Sequence, residues 1–362
     1  MPPKKSTAAA TLSKKLATAP GPTRTDPMRP FVSVLTPTYN RRMFLKISIA
    51  CFKAQTYPQD RMEWIILDDG SDPVEDIFKA SGLTNVKYHR LTEKLPIGAK
   101  RNMINELAKG DICVAWDDDD YYPPDRVRHS VTKLLGNRRT PVVGSSEVYL
   151  YFSDRNEIWA AGPYNPNHCT NGTMAYWRTY FKDHKYDPTA EKAEERLFMD
   201  DWKTPVTQIR PEECMLVICH AFNTFDKRRL LDQNNPRLKK VAMKMRGLVQ
   251  EAWIRDFYTK TLPAHYKELD AKAVAAGVSG EKPPVNDAEV FGAAEFVDGG
   301  VVTTSEPHLE ATVPRLYCSD GVLPAEPPVP LPSLLVSELP PNPAPSDTTP
   351  QVPPSPTLPR TD

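Results

Sequence analysis

The chain has 362 residues, 40% of them hydrophobic, with Lys+Arg and Asp+Glu both at 46 and a formal net charge of +0. That length allows one large domain or two smaller ones, and the balanced charge excludes a global pull toward nucleic acid or an anionic membrane. No run of about eighteen apolar residues is present, so no spanning helix is expected, and the N-terminus shows no apolar signal core, so a cytoplasmic protein with at most peripheral membrane contact is the expectation.

Residues 1–28 are rich in Ala, Pro, Thr and Lys without periodicity and read as a disordered tail. Phe31 to Leu35 is a short apolar run, a strand that feeds the loop Thr36-Pro37-Thr38-Tyr39-Asn40. Arg41 to Gln55 has helical spacing, with Phe44, Ile47, Ala50 and Cys51 on one face. Trp64 to Leu67 is a second buried strand, closed by Asp68-Asp69-Gly70-Ser71-Asp72, and Val86 to His89 is a third. A helix over Ala99 to Ala108 stops at Gly110, and Ile112 to Trp116 is a fourth strand leading into Asp117-Asp118-Asp119-Asp120. The alternation predicts an α/β fold with a mostly parallel, Rossmann-like central sheet flanked by helices, and open sheets of that kind bind ligands at their carboxyl edge.

Further on, the pattern predicts a helix over Pro124 to Leu135, strands at Val142-Val143 and Glu147 to Phe152, and a helix over Glu191 to Trp202. Cys214 to Cys219 reads as a strand and Arg237 to Thr261 as a long amphipathic helix. The core pattern then fades, and residues 324–362 alternate Pro with Ser, Thr and Leu. The expected organisation is a tail at 1–28, a folded domain at 29–262 (halves 29–135 and 136–232, C-terminal helix 233–262) and a low-complexity Pro-rich tail at 263–362. The six cysteines make no CxxC pair and no zinc spacing, so they read as free thiols in a reducing compartment.

Four adjacent carboxylates repel one another, and burying them requires compensation. A hard divalent cation, Mg²⁺ or Mn²⁺, supplies it, since such ions take a few carboxylates together with substrate phosphate oxygens. On an extended backbone Asp117 and Asp119 share a face; the alternative is an exposed acidic turn. At the second strand end Asp68 and Asp69 can accept from a base N–H or a ribose hydroxyl, or form an ordinary Asx turn. Lys100-Arg101-Asn102 opens a helix where a guanidinium can hold a diphosphate, or is a solvated face. Asn171-Gly172-Thr173-Met174 follows a flexible stretch, Gly162 to Thr170, that reads as an acceptor-side loop or a surface hairpin, and His220 is a neutral metal or phosphate ligand or a core histidine.

Thr-Pro-Thr-Tyr-Asn-Arg after the first strand, Leu-Asp-Asp-Gly-Ser after the second, Arg-Asn ahead of Ala-Lys-Gly-Asp, then Trp-Asp-Asp-Asp-Asp-Tyr-Tyr-Pro-Pro-Asp-Arg closely resemble family 2 glycosyltransferases of the GT-A fold over roughly residues 30–232. The resemblance implies a nucleotide-diphospho-sugar donor, most commonly UDP-linked, with a glycan, protein or lipid acceptor and an inverting, metal-dependent transfer. It places Thr36, Pro37 and Tyr39 in the nucleoside pocket and Asp69, then Asp68, on the base. Arg101 falls near the uridine or diphosphate, Asp117 and Asp118 near ribose and metal, and Asp119 on the metal, with the register inside the acidic run ambiguous by one. Glu194-Glu195-Arg196-Leu197-Phe198 matches the family's acidic pair, whose second member is the general base; this chain has Glu where Asp is commoner, so either Glu195 or Glu194 takes that role. Two other classes fit the same residues. One is a catalytically silent GT-A domain serving as a glycan-binding or scaffold module, the other a metal-dependent nucleotidyltransferase.

Overall fold

The computed structural model describes residues 28–220, 223, 227–233 and 236–275. All fall in one compact unit, Met1–Pro307. Of the expected tails, only Met28 and residues 263–275 are among the described residues; the remainder, Cys318 included, lies outside them.

The first half follows the expected alternation: β1 (Val32–Thr38), α1 (Arg42–Lys53), β2 (Met62–Asp68), α2 (Glu75–Ala80), β3 (Val86–Arg90), α3 (Ile97–Leu107), β4 (Ile112–Ala115) and α4 (Arg126–Gly136). After them come β5 (Val142–Gly144), β6 (Val148–Phe152), β7 (Glu157–Ala161), β8 (Ala175–Trp177), α5 (Tyr180–Asp183), α6 (Glu195–Phe198), β9 (Val206–Gln208), β10 (Leu216–Cys219) and β11 (Leu238–Lys240). The last two helices are α7 (Ala252–Asp256) and α8 (Leu262–Ala275).

Among the described residues the strands make a seven-stranded sheet in the order β3-β2-β1-β4-β8-β5-β9 and a second, four-stranded sheet β10-β6-β7-β11. In the large sheet β3, β2, β1 and β4 run parallel, β8 is antiparallel to both its neighbours, and β5 pairs parallel with β9. This is the mixed α/β architecture expected from the sequence. β1 and β2 are buried along their whole length because both faces are covered, which is why they read as unbroken apolar runs. Successive side chains serve opposite layers. Val34, Trp64, Ile66 and Val114 pack with Phe44, Phe52 and Val127 of α1 and α4, while Leu35, Ile65, Leu67 and Ala115 pack with Ile104 of α3 and Phe198 of α6. Trp64 stacks on Phe52 at 4.5 Å, and its indole N–H donates to Thr36 Oγ1 at 2.9 Å.

Three expectations are corrected. Arg237 to Thr261 is not one helix. β11 pairs antiparallel with β7, Arg237 O accepts from Gly162 N at 3.0 Å and Val241 N donates to Ile158 O at 3.0 Å, so sheet edge outcompetes helix there. The helical stretch starts at Ala252 instead and continues past residue 262 to Ala275. A π-helical turn at Phe257–Thr261 precedes Pro263, whose missing N–H an ordinary helix interior would not tolerate. Third, Glu191 to Trp202 is helical only at Glu195–Phe198, because Ala193, Asp200, Asp201 and Trp202 have φ of 52°, 49°, 51° and 64°. Left-handed residues with a Cβ cost roughly 1–2 kcal/mol each and cannot continue a right-handed helix.

Candidate active site

The carboxyl ends of β1, β2 and β4 meet at one edge, with Thr38 opposite Asp68 and Leu35 opposite Ala115. Asn40 fastens the first two loops, its Oδ1 accepting from Ser71 N at 2.8 Å. Gly70 is required for that approach, since a Cβ there would sit 2.6 Å from Asn40 Oδ1; the glycine answers crowding here, not a left-handed turn.

Asp68 is committed to the fold. Its carboxylate accepts from Gly70 N (2.8 Å), Val74 N (3.2 Å) and Tyr88 Oη (2.6 Å), which fix the loop after β2. Thr36 and Pro37 are likewise buried in β1, with Thr36 Oγ1 taken by Trp64. Asp69 instead forms a buried ion pair with Lys100 and accepts Leu95 N at 2.9 Å. Lys100 Nζ also donates to Thr38 O at 2.9 Å, tying α3 to β1. Burial lowers the Lys100 pKa against the opposing pull of Asp69. Tyr39, half-buried, offers its ring to Lys94 Nζ at 4.5 Å. Lys100 and Arg101 are therefore an inward-facing pair and not a solvated helix face.

The acidic run divides its work. β4 ends at Ala115, so the strand alternation that puts Asp117 and Asp119 on one face no longer applies. Asp117 turns to Arg101, 3.1 Å from its Nη2. Asp118 and Asp119 turn to Arg41, whose Nε lies 3.8 Å and 3.2 Å from them. Asp120 is buried and accepts Ile218 N at 2.7 Å, which pins β10 behind the site. Burial, then the adjacent Asp119 charge, pushes Asp118 up to about 7. Burial also works to raise Asp119, yet the His220 hydrogen bond and the Arg41 charge hold it below the usual carboxylate range.

His220 Nε2 is 3.3 Å from Asp119 Oδ2 and 3.1 Å from Asn223 Nδ2, and its ring stacks on Phe44 at 4.7 Å. Burial lowers it to about 4, so the imidazole is neutral at pH 7. Among the described residues no three His, Cys, Asp or Glu side chains converge as a full protein cage would. The expected set of Asp119, Asp117 and His220 thus separates: Asp119 and His220 are neighbours, and Asp117 belongs to Arg101.

Arg101 is the junction of the site. Its Nε lies 2.6 Å from Glu194 Oε1, its Nη2 contacts Asp117, and the Asn171 amide oxygen, oriented by the surrounding donors, lies 2.8 Å from its Nη1. The Asn171 amide nitrogen then faces Tyr186 Oη at 2.8 Å. Asn171 and Tyr186 are the residues that sequence reasoning undervalued. Asn171-Gly172-Thr173 is buried and not a surface hairpin, and the fully buried guanidinium of Arg126 holds it by donating from Nη2 to Met174 O at 2.9 Å and to Gly172 O at 3.4 Å. Beside this junction, burial and then the Glu194 charge push Glu195 up to about 7.

Residues 33–192 match the family described as "Glycosyl transferase family 2". Over that stretch the chain is similar to family 2 glycosyltransferases. It is 32% identical over 139 residues to the "Probable glucomannan 4-beta-mannosyltransferase 3" of Oryza sativa subsp. japonica, covering 35% of this chain and 25% of that protein. It is 28% identical over 124 residues to an "Uncharacterized glycosyltransferase" of Rickettsia felis, covering 33% of this chain and 20% of the other. The chain thus spans a quarter or less of the length of these two relatives. Among solved structures it is similar to the mannosyltransferase PcManGT from Pyrobaculum calidifontis in complex with GDP-Man and Mn²⁺ (14% identity, TM-score 0.45, 76% of this chain and 85% of that one). It is also similar to S. aureus TarS 1-349 in complex with UDP (18% identity, TM-score 0.43, 52% and 61%). Neither likeness is close enough to transfer a ligand. Among the described residues no helix is long and apolar enough to cross a membrane.

Proposed function

We propose that the chain transfers a sugar from a nucleotide-diphospho-sugar, taken as UDP-linked, to an acceptor hydroxyl with inversion at the anomeric carbon. The observation that carries this reading is Arg101, which joins Asp117 after β4 to Glu194 at α6. A family domain match alone would leave the two acidic elements unconnected; here one buried cation binds both.

Glu195 is the proposed base. A carboxyl near 7 holds a proton weakly enough to be ionised in part at neutral pH and strongly enough to accept one from a hydroxyl. As the acceptor oxygen attacks the anomeric carbon, its proton passes to Glu195 and the bond to the diphosphate oxygen breaks. Glu194, already bonded to Arg101, orients the pair. Arg101 has its donors directed at Glu194, Asp117 and Asn171, so its proposed duty is to order the acids, in place of the direct diphosphate contact that the family resemblance implies. Asp69 with Lys100, beside Tyr39, is the proposed nucleoside end.

A hard divalent ion fits the donor set at the other end: Asp119 is kept ionised and His220 neutral, and two protein ligands suffice where diphosphate oxygens complete the shell. Asp119 and His220 would hold Mn²⁺ or Mg²⁺, which when bound supplies Lewis-acid stabilisation of the leaving diphosphate. The test is a thermal-shift screen of the full chain with UDP, GDP, UDP-GlcNAc and GDP-Man, each with and without Mn²⁺. A rise in melting temperature with a nucleotide that requires Mn²⁺ is expected. No rise with any of them sinks the donor reading.

A further inference from the structure

Three aromatic side chains near the acid pair have no duty in the donor site. Tyr164, His168 and Trp202 follow one another with ring centroids 4.6 Å and 4.3 Å apart and planes tilted by 46° and 39°. The rings touch along the row, and Arg237 Cζ lies 5.6 Å from the Tyr164 ring centroid. Tyr164 is 38% exposed, and His168 and Trp202 are half-buried, Trp202 packing against the core cluster that holds Phe198, so the row runs from the surface to the edge of the core.

The fold holds this row firmly. Gln208 Nε2 donates to Pro166 O at 2.8 Å and His168 O at 2.9 Å, while Gln208 Oε1 accepts Ser146 N at 2.8 Å. Tyr164 N donates to Ser146 O at 3.2 Å. Trp202 is presented on a left-handed backbone, φ 64°, which a bulky residue rarely adopts and which surrounding structure must enforce. Hydrogen bonds from Asp201 N to Arg196 O (3.0 Å) and Thr204 N to Met199 O (3.3 Å) fold that turn back onto α6. Trp202 is therefore rigidly linked to the helix that carries Glu195. The other side of the row is also near: burial, and after it the Glu195 charge, raises the thiol pKa of Cys169, the residue next to His168.

We propose that Tyr164, His168 and Trp202 form the acceptor subsite and that the acceptor is an oligosaccharide, one pyranose ring lying against these aromatic faces with a hydroxyl toward Glu195. The assignment of that hydroxyl rests on the transferase reading above; the sugar platform itself does not. A pyranose has an apolar C–H face and a polar rim, which matches electron-rich ring faces bordered by the exposed side chains of Asp200, Asp201 and Lys203. A lipid chain would instead need a continuous aliphatic groove, and these rings are flanked by charge.

The test titrates the full chain with mannotetraose, cellotetraose and chitotetraose, following tryptophan emission, and measures UDP and GDP binding with Mn²⁺ separately. At least one tetrasaccharide should bind. Its affinity should fall about tenfold in Tyr164→Ala and in Trp202→Leu, with Trp202→Phe recovering most of the loss, as expected for removal and restoration of one aromatic face. Tyr164 is exposed, so Tyr164→Ala decides the matter if Trp202→Leu does not fold. Binding of none of the three sugars, or equal binding by wild type and Tyr164→Ala, overturns the subsite. Row-dependent sugar binding without any UDP or GDP binding keeps the platform and removes the transferase reading; nucleotide binding without sugar binding does the reverse.

Discussion

Replacing Arg101 by Met tests the junction directly. The Arg101 and Glu194 side chains are each 9% exposed, and Asp117 is 27% exposed. Methionine keeps most of the aliphatic stem and removes the charge, which leaves Glu194 buried without its cation. Removing one partner of a buried ion pair costs about 3–5 kcal/mol, and for a domain of this size that corresponds to a melting temperature lower by roughly 10 °C. The loss has a definite pH dependence. Burial and the Glu194 charge already raise the Glu195 carboxyl to about 7, and without the opposing pull of Arg101 it rises further, so the folded protein binds more protons than the unfolded one. Stability of the variant is then greatest at acid pH and falls as pH rises through and beyond the unfolded range of about 4.3. Urea denaturation at pH 5 and pH 8, followed by circular dichroism, measures both quantities. Arg101→Met/Glu194→Gln should recover part of the deficit at pH 8. A deficit under about 1 kcal/mol at pH 8, in the range of exposed pairs, would refute the reasoning, as would equal deficits at the two pH values.

Glu195→Gln should retain Mn²⁺-dependent UDP binding and lower transfer at least about 100-fold, the typical contribution of a positioned base; transfer within tenfold of wild type would move that role elsewhere. Because the Glu195 carboxyl sits at about 7, the rate should decline as pH falls below that value and the base takes up its proton, by about one decade per pH unit. A flat profile between pH 5 and pH 8 contradicts this. Asp119→Ala should abolish the part of the UDP thermal shift that depends on Mn²⁺, and a retained shift would show that the ion is held by another aspartate of the run. Gly172→Ala should place a Cβ 2.6 Å from Asp117 Oδ2 and 2.8 Å from Met215 Sδ, destabilising the domain by about 1–3 kcal/mol and displacing Asp117 from Arg101. Unchanged stability and unchanged nucleotide affinity in that variant would show that Asp117 has room to move.

The local pattern of the sequence determined the parallel half of the sheet, because β1, β2 and β4 are covered on both faces and each carries its own unbroken apolar run into a polar cluster. It also raised Asp69, Asp119 and Glu195 as candidates, since each lies at an element end that the family pattern singles out. What it did not contain is who meets whom. Arg101 and Glu194 are 93 residues apart, and Asp119 and Asn223 are 104 apart, so their partnership exists only once the strands are paired. The same holds for Asp68, indistinguishable from Asp69 by composition and yet used up by Gly70, Val74 and Tyr88. The edge strand β11 and the left-handed turn at Asp200 to Trp202 were hidden for a related reason: both are imposed by hydrogen bonds from distant or backward-folded backbone, against the helical periodicity of their own residues.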